Sequence, residues 1–168
     1  MKITEMLLGE LTSEVERSKR ALEQVPEGEY DWKPHEKSMA LGPLVEMVAM
    51  IPSWVAMMVT HDQLDVAPAT PQHKPKPMRT RAELLKGLEE AATDARAALE
   101  GTTDEFLMTP WKLLARGQVV IEAPRYEMIR DTFNHLAHHR GQMTVYLRLL
   151  GATVPALYGP SADDNRFK

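Results

Sequence analysis

The 168-residue sequence contains no cysteine. A disulfide framework, a thiolate zinc site and a thiol nucleophile are therefore excluded. Clusters of basic residues are also missing. The 20 Lys and Arg stand against 24 Asp and Glu, a formal net charge of −4, so the positive footprint that a nucleic-acid partner requires is absent. The amino terminus does not read as a secretory signal, because Glu5 and Glu10 interrupt what would be its apolar stretch, and a cytoplasmic location is expected. Only residues 41–60 approach the roughly 20 apolar residues that a bilayer demands. Pro52 and Ser53 interrupt that run and no basic residue flanks its far end. The other apolar stripes of the chain also need a greasy partner, so a buried central helix is expected and a membrane is not. What remains is 43% hydrophobic and 26% charged, enough to fill the core of a single globular domain over residues 1–168.

Periodicity gives the organisation. Ile3, Leu7, Leu11, Val15, Leu22 and Val25 recur at helical steps with charges between them, predicting an amphipathic helix over 3–25 that ends at Pro26 and Gly28. A second helix is expected over 41–60, with Pro43 in its first turn and a kink at Pro52. Pro68, Pro71, Pro75 and Pro77 then mark a surface connection. A third helix, 80–100, opens on Thr80 with Glu83 at capping-box spacing and carries Ala91 and Ala95 for close packing. Residues 111–114 and 119–121 are set to pair across Arg116-Gly117 as a short hairpin. The fourth helix, 124–150, presents Ile129, Phe133, Leu136, Met143, Leu147 and Leu150 on one stripe and stops at Gly151. Apolar residues beyond one narrow stripe suggest a second buried face and a homodimer.

Three of the six histidines fall within five residues of that last helix. His135 and His139, four apart, share a face and can hold one metal ion if a third ligand comes from elsewhere. No glutamate follows His135 directly, so this is not the metalloprotease arrangement. From spacing alone the two imidazoles read more readily as helix-face histidines bonded to carbonyls or water.

The stretch 134–164, NHLAHHRGQMTVYLRLLGATVPALYGPSADD, resembles the carboxy-terminal signature of DinB/YfiT-like proteins. Trp32-Lys33-Pro34, Lys37-Ser38, Leu41-Gly42, Pro52-Ser53-Trp54 and Pro124-Arg125 are similar to further family positions and extend the resemblance over nearly the whole chain. It implies an all-α fold, a DinB-like four-helix bundle with long connecting loops and at most one short β-hairpin, usually dimeric. It further implies a divalent metal (nickel, zinc or manganese) held by three histidines, one from helix two and two from helix four. The helix-four pair corresponds to His135 and His139. Family members of assigned chemistry use the metal to activate a low-molecular-weight thiol such as bacillithiol or mycothiol, so the expected function is a metal-dependent thiol S-transferase or hydrolase. The metal would act as a Lewis acid and lower the pKa of a bound thiol or water.

The chain departs from that pattern at Met47, which occupies the helix-two ligand position. A thioether is a weak ligand for these ions and brings no charge. Glu46 is turned by about 100° along the helix, and His61 lies too far on to substitute. The rival reading is a metal-free, non-catalytic relative that binds a small apolar ligand or acts only as a dimer. Met47, Met50, Met57 and Met58 suit flexible core filling or, alternatively, a plastic pocket wall beside the histidines. His35 reads as a loop-bonding residue and His138 as exposed. Arg140 and Tyr146 are the catalytic candidates, Arg140 to receive a carboxylate and Tyr146 to donate a proton. The alternative for both is structural: a salt bridge, or a hydrogen bond to a buried carbonyl.

Overall fold

The computed structural model describes residues 2–69 and 76–165. Pro71 and Pro75 of the expected connection lie outside the described residues, while Pro68 and Pro77 sit in irregular backbone. In chain order the elements are α1 (Ile3–Leu22), α2 (Leu41–Met50), α3 (Ser53–Thr60), β1 (Gln63–Asp65), α4 (Arg81–Glu100), α5 (Asp104–Leu107), β2 (Pro110–Ala115), β3 (Gln118–Pro124) and α6 (Arg125–Leu149). The chain is mostly helical. Six helices stand among the described residues, and beside them lies a small three-stranded sheet ordered β1-β2-β3, one strand more than the expected hairpin.

Each boundary has a local cause. Thr80 caps α4 by accepting from the Glu83 amide at 3.1 Å, and the Glu83 carboxylate accepts from the Arg79 amide at 2.8 Å. In the first turn of α1, Glu5 reaches back only to the Lys2 amide, at 3.3 Å, and the Ile3 and Thr4 amides find no partner within the helix. Asp104 of α5 caps them, accepting from the Ile3 and Thr4 amides at 2.9 Å each. The expected 41–60 helix is broken instead of kinked. Pro52 has no amide hydrogen to continue the ladder, and α2 and α3 meet at 52°. No single helix among the described residues is long and apolar enough to cross a membrane, and this bent pair buries Leu41, Leu44, Val45, Val48, Ile51 and Val55 inside the chain. Gly42 is required by close approach: its amide donates to the Tyr30 carbonyl at 2.7 Å, and a Cβ there would lie 2.9 Å from the same oxygen.

The predicted hairpin exists and is longer than expected, with Arg116 and Gly117 at φ 54° and 75° forming its two-residue turn. β1 runs parallel to β2, pairing Gln63 with Lys112. Its Asp65 carboxylate pins the turn by accepting from the Arg116 amide at 3.1 Å and the Gly117 amide at 2.7 Å. Those bonds, with the one from the Ala67 amide first among them, hold the Asp65 carboxyl below its usual range.

α1, α2 and α3 each pack against both α4 and α6 or one of them, and two apolar clusters result. One gathers Leu22, Tyr30, Leu44, Val48, Leu84 and Leu136. The other gathers Leu7, Val55, Leu99, Trp111, Ile129 and Phe133. Phe133 and Leu136 belong to different clusters, so the two meet within one turn of α6, at the level of the histidines.

Candidate functional site

Helix α6 carries the site. The Nε2 atoms of His135 and His139 approach to 2.8 Å, and the His139 Nδ1 lies 2.8 Å from the Oε1 of Gln142. A carboxamide oxygen only accepts, so His139 carries its proton on Nδ1 and offers the Nε2 lone pair; His135 then donates from Nε2. His135 Nδ1 is left without a protein partner among the described residues. His139 is buried and His135 keeps an open edge. Trp54 of α3 meets the His135 ring edge-on at 5.2 Å. Burial of that inner side, followed by the neighbouring charges of His139 and His138, lowers the His135 pKa below its ordinary value, with Asp131 opposing.

Beside His135 opens an apolar groove of about 220 Å3 between α3, the sheet and α6. Met57 and Met58 form its wall on α3, Trp111, Leu113 and Ile121 its wall on the hairpin, and Met128 its floor on α6. Two of the four singled-out methionines thus line a cavity. Met47 instead packs on the cluster around Leu44, and Met50 is largely exposed.

Most of the remaining sequence candidates are held by other contacts. Arg140 is wholly buried; it ion-pairs with the Glu14 carboxylate, donates to the Glu14 carbonyl and Ser18 hydroxyl at 3.0 Å each, and meets the Tyr158 hydroxyl. Its guanidinium has no face left for a substrate carboxylate. Tyr146 donates to the Met39 carbonyl at 3.0 Å and stacks edge-on with Trp32 at 5.5 Å, holding the loop before α2. Glu46 accepts from the Met78 amide at 2.6 Å. His35 accepts from the Lys37 amide, as a loop residue would. His61 is exposed, bonded through its ring to Thr60, while its carbonyl accepts from Trp111 and Arg125. His138 is exposed, 5.0 Å from the His139 ring.

Sequence reading did not single out Asp131, Thr132 or the hairpin residues. Asp131 lies four residues before His135, so the same face rule that linked the histidines reaches it. Trp111, Leu113 and Ile121 become neighbours of α6 only through tertiary packing, for which no local signal exists.

A model of the DinB family matches residues 1–166. This chain belongs to the DinB family. A solved DinB-like protein from Bacillus cereus ATCC 10987 superposes with a TM-score of 0.71 at 24% identity, covering 92% of this chain and 97% of that one. Another from Bacillus subtilis gives 0.67 at 21% identity, over 88% and 94%. At these identities the likeness is one of fold. The uncharacterized protein YrdA of Bacillus subtilis (strain 168) is 42% identical over 43 residues, and the match spans about a quarter of either chain (26% of each).

Membership raises the question of a metal. Two imidazoles on tetrahedral zinc place their nitrogens about 3.3 Å apart, at metal–nitrogen bonds of about 2.0–2.1 Å. The observed 2.8 Å is close to that, and Gln142 holds His139 in the tautomer a ligand needs. The third place does not fit. Among the described residues no three His, Cys, Asp or Glu side chains converge on one point, and Met47 offers only a thioether. Among the described residues the donor set is one short of the three histidines that the sequence resemblance implied.

Proposed function

We propose that this DinB-family chain binds a small, largely apolar molecule in the groove beside His135, with the His135–His139–Gln142 chain as its polar end and without a three-histidine metal centre. The observation that carries the reading is the groove itself. At about 220 Å3 it falls below the 300–1,000 Å3 usual for drug-sized ligands, which limits the occupant to a few rings or a short chain. Thioethers on two walls allow it to reshape around that body. His135 Nδ1, left with a lone pair, accepts a hydrogen bond from a hydroxyl, thiol or ammonium at the ligand's end. Titration with a neutral apolar fluorophore tests this. Saturable binding that Leu113→Glu removes, at unchanged far-ultraviolet circular dichroism, is expected. Binding unaffected by Leu113→Glu overturns it.

The metal-dependent thiol S-transferase or hydrolase is the second reading, supported by the convergence of the two Nε2 atoms with Gln142 behind them. It requires that His135 and His139 suffice for nickel, zinc or manganese. Replacing both with alanine should then abolish bound metal. We further read α1, the bent α2–α3 pair, α4 and α6 as the four members of a helical bundle, and the protein as a cytoplasmic homodimer. A light-scattering mass near the 19.0 kDa monomer at high micromolar concentration would remove the dimer.

A further inference from the structure

We infer that the groove's ligand is a monocationic amphiphile, an apolar body carrying an amine whose ammonium pairs with Asp131. The inference rests on the groove reading above and adds the charge of the occupant. Among the described side chains lining the groove, Asp131 is the single carboxylate, and none is a lysine or arginine. Asp131 is exposed at the mouth and has no hydrogen bond or ion pair to another side chain among the described residues. The neighbouring charges do not cover it. Glu127 and Arg130, of opposite sign, border an adjoining shallow depression that shares Ile121, Met128 and Asp131 with the groove, and neither lines the groove itself.

The other polar side chain beside Asp131 is already occupied. Thr132 donates its hydroxyl to the Met128 carbonyl at 3.0 Å. The remaining walls favour a cation over an anion: the partly exposed Trp54 indole is electron-rich, and the thioethers of Met57, Met58 and Met128 are polarisable. A carboxylate ligand would meet Asp131 with no compensating positive group in the lining. An amine meets a free carboxylate beside an apolar bed, the pairing that charge complementarity selects.

The test uses three ligands with one apolar body: phenylbutylamine, phenylbutanol and phenylbutanoate, titrated calorimetrically into the full chain at fixed ionic strength. A partly exposed ion pair gives the amine about fivefold tighter binding than the alcohol. The carboxylate should bind weakest, and added salt should narrow the spread. Asp131→Asn should bring the amine to the affinity of the alcohol, whereas Asp131→Glu should keep the preference. Equal binding of amine and alcohol by the parent chain, or tighter binding of the carboxylate, overturns the amine and leaves the groove standing. Failure of all three to bind overturns the groove reading and the amine with it.

Discussion

Helix α6 carries two polar clusters within a few residues of each other, and they are built differently. Around Arg140, partners arrive from two other parts of the chain: Glu14 and Ser18 from α1, and Tyr158 from the carboxy-terminal segment. The guanidinium has no exposure, only its Nε lacks a partner, and the Arg17 guanidinium covers the Tyr158 ring at 4.4 Å. Around His135 and His139, every hydrogen bond stays within α6, and one imidazole keeps an edge toward a groove. Polar groups that join distant elements hold the fold. Polar groups that bond along their own helix and face open space are available to something else.

The largest expected effect breaks the first cluster. Arg140→Met should cost about 3 kcal/mol in urea unfolding, because the buried Glu14 carboxylate loses its main partner. Adding Glu14→Gln should recover part of that loss, a coupling that a double-mutant cycle would measure. His139→Leu should cost only about 1–2 kcal/mol, the worth of its two hydrogen bonds, because both partners are local and can turn to water. A loss as large as that of Arg140→Met would erase the distinction between the clusters. Tyr158→Phe, which removes a hydroxyl from the Arg140 and Glu14 side but leaves the ring, should cost about 1 kcal/mol.

A smaller effect should appear with pH. The folded His135 pKa lies below its ordinary 6.5, so the unfolded chain binds its proton first as pH falls. The stability that neutral His135 contributes is complete above 6.5 and is lost as pH drops through the lower folded value. His135→Leu should flatten that part of the stability profile. The lowered carboxyls of Asp104 and Asp163, whose ordinary value is 3.8, would still act at more acidic pH and leave the acid limb in place. An unchanged slope just below 6.5 in His135→Leu would remove the desolvated histidine from the account.

Much of this was readable in the sequence wherever the cause is local. The period of α1, α4 and α6, the Thr80 cap and the Arg116-Gly117 turn depend on neighbours a few residues away, and each stands close to its expected place. β1 was not readable: it is three residues long and exists because Lys112, 49 positions on from Gln63, pairs with it. α5 is a single turn whose purpose, the Asp104 cap on α1, is equally remote in sequence. At Pro52 the local rule named the place but not the outcome, because packing against α4 and α6 favours a full break. The same division governs the site. Spacing found His135 and His139 and would have reached Asp131. It left two roles open for Arg140 and Tyr146, and it could not give their tertiary contacts, to Glu14 and to the Met39 carbonyl.

On our proposal, the open cluster serves a groove instead of a resident metal held by three histidines. The direct measurement is the metal-to-chain ratio of protein purified without chelator or affinity-tag nickel, analysed for nickel, zinc, manganese and iron, for the parent and for Met47→His. The parent should hold far less than one ion per chain. The variant should approach one, because a neutral imidazole replaces the thioether while the α6 pair stays in place. A ratio near one in the parent, lost in the His135→Ala, His139→Ala double variant, would contradict the account and return the site to metal chemistry.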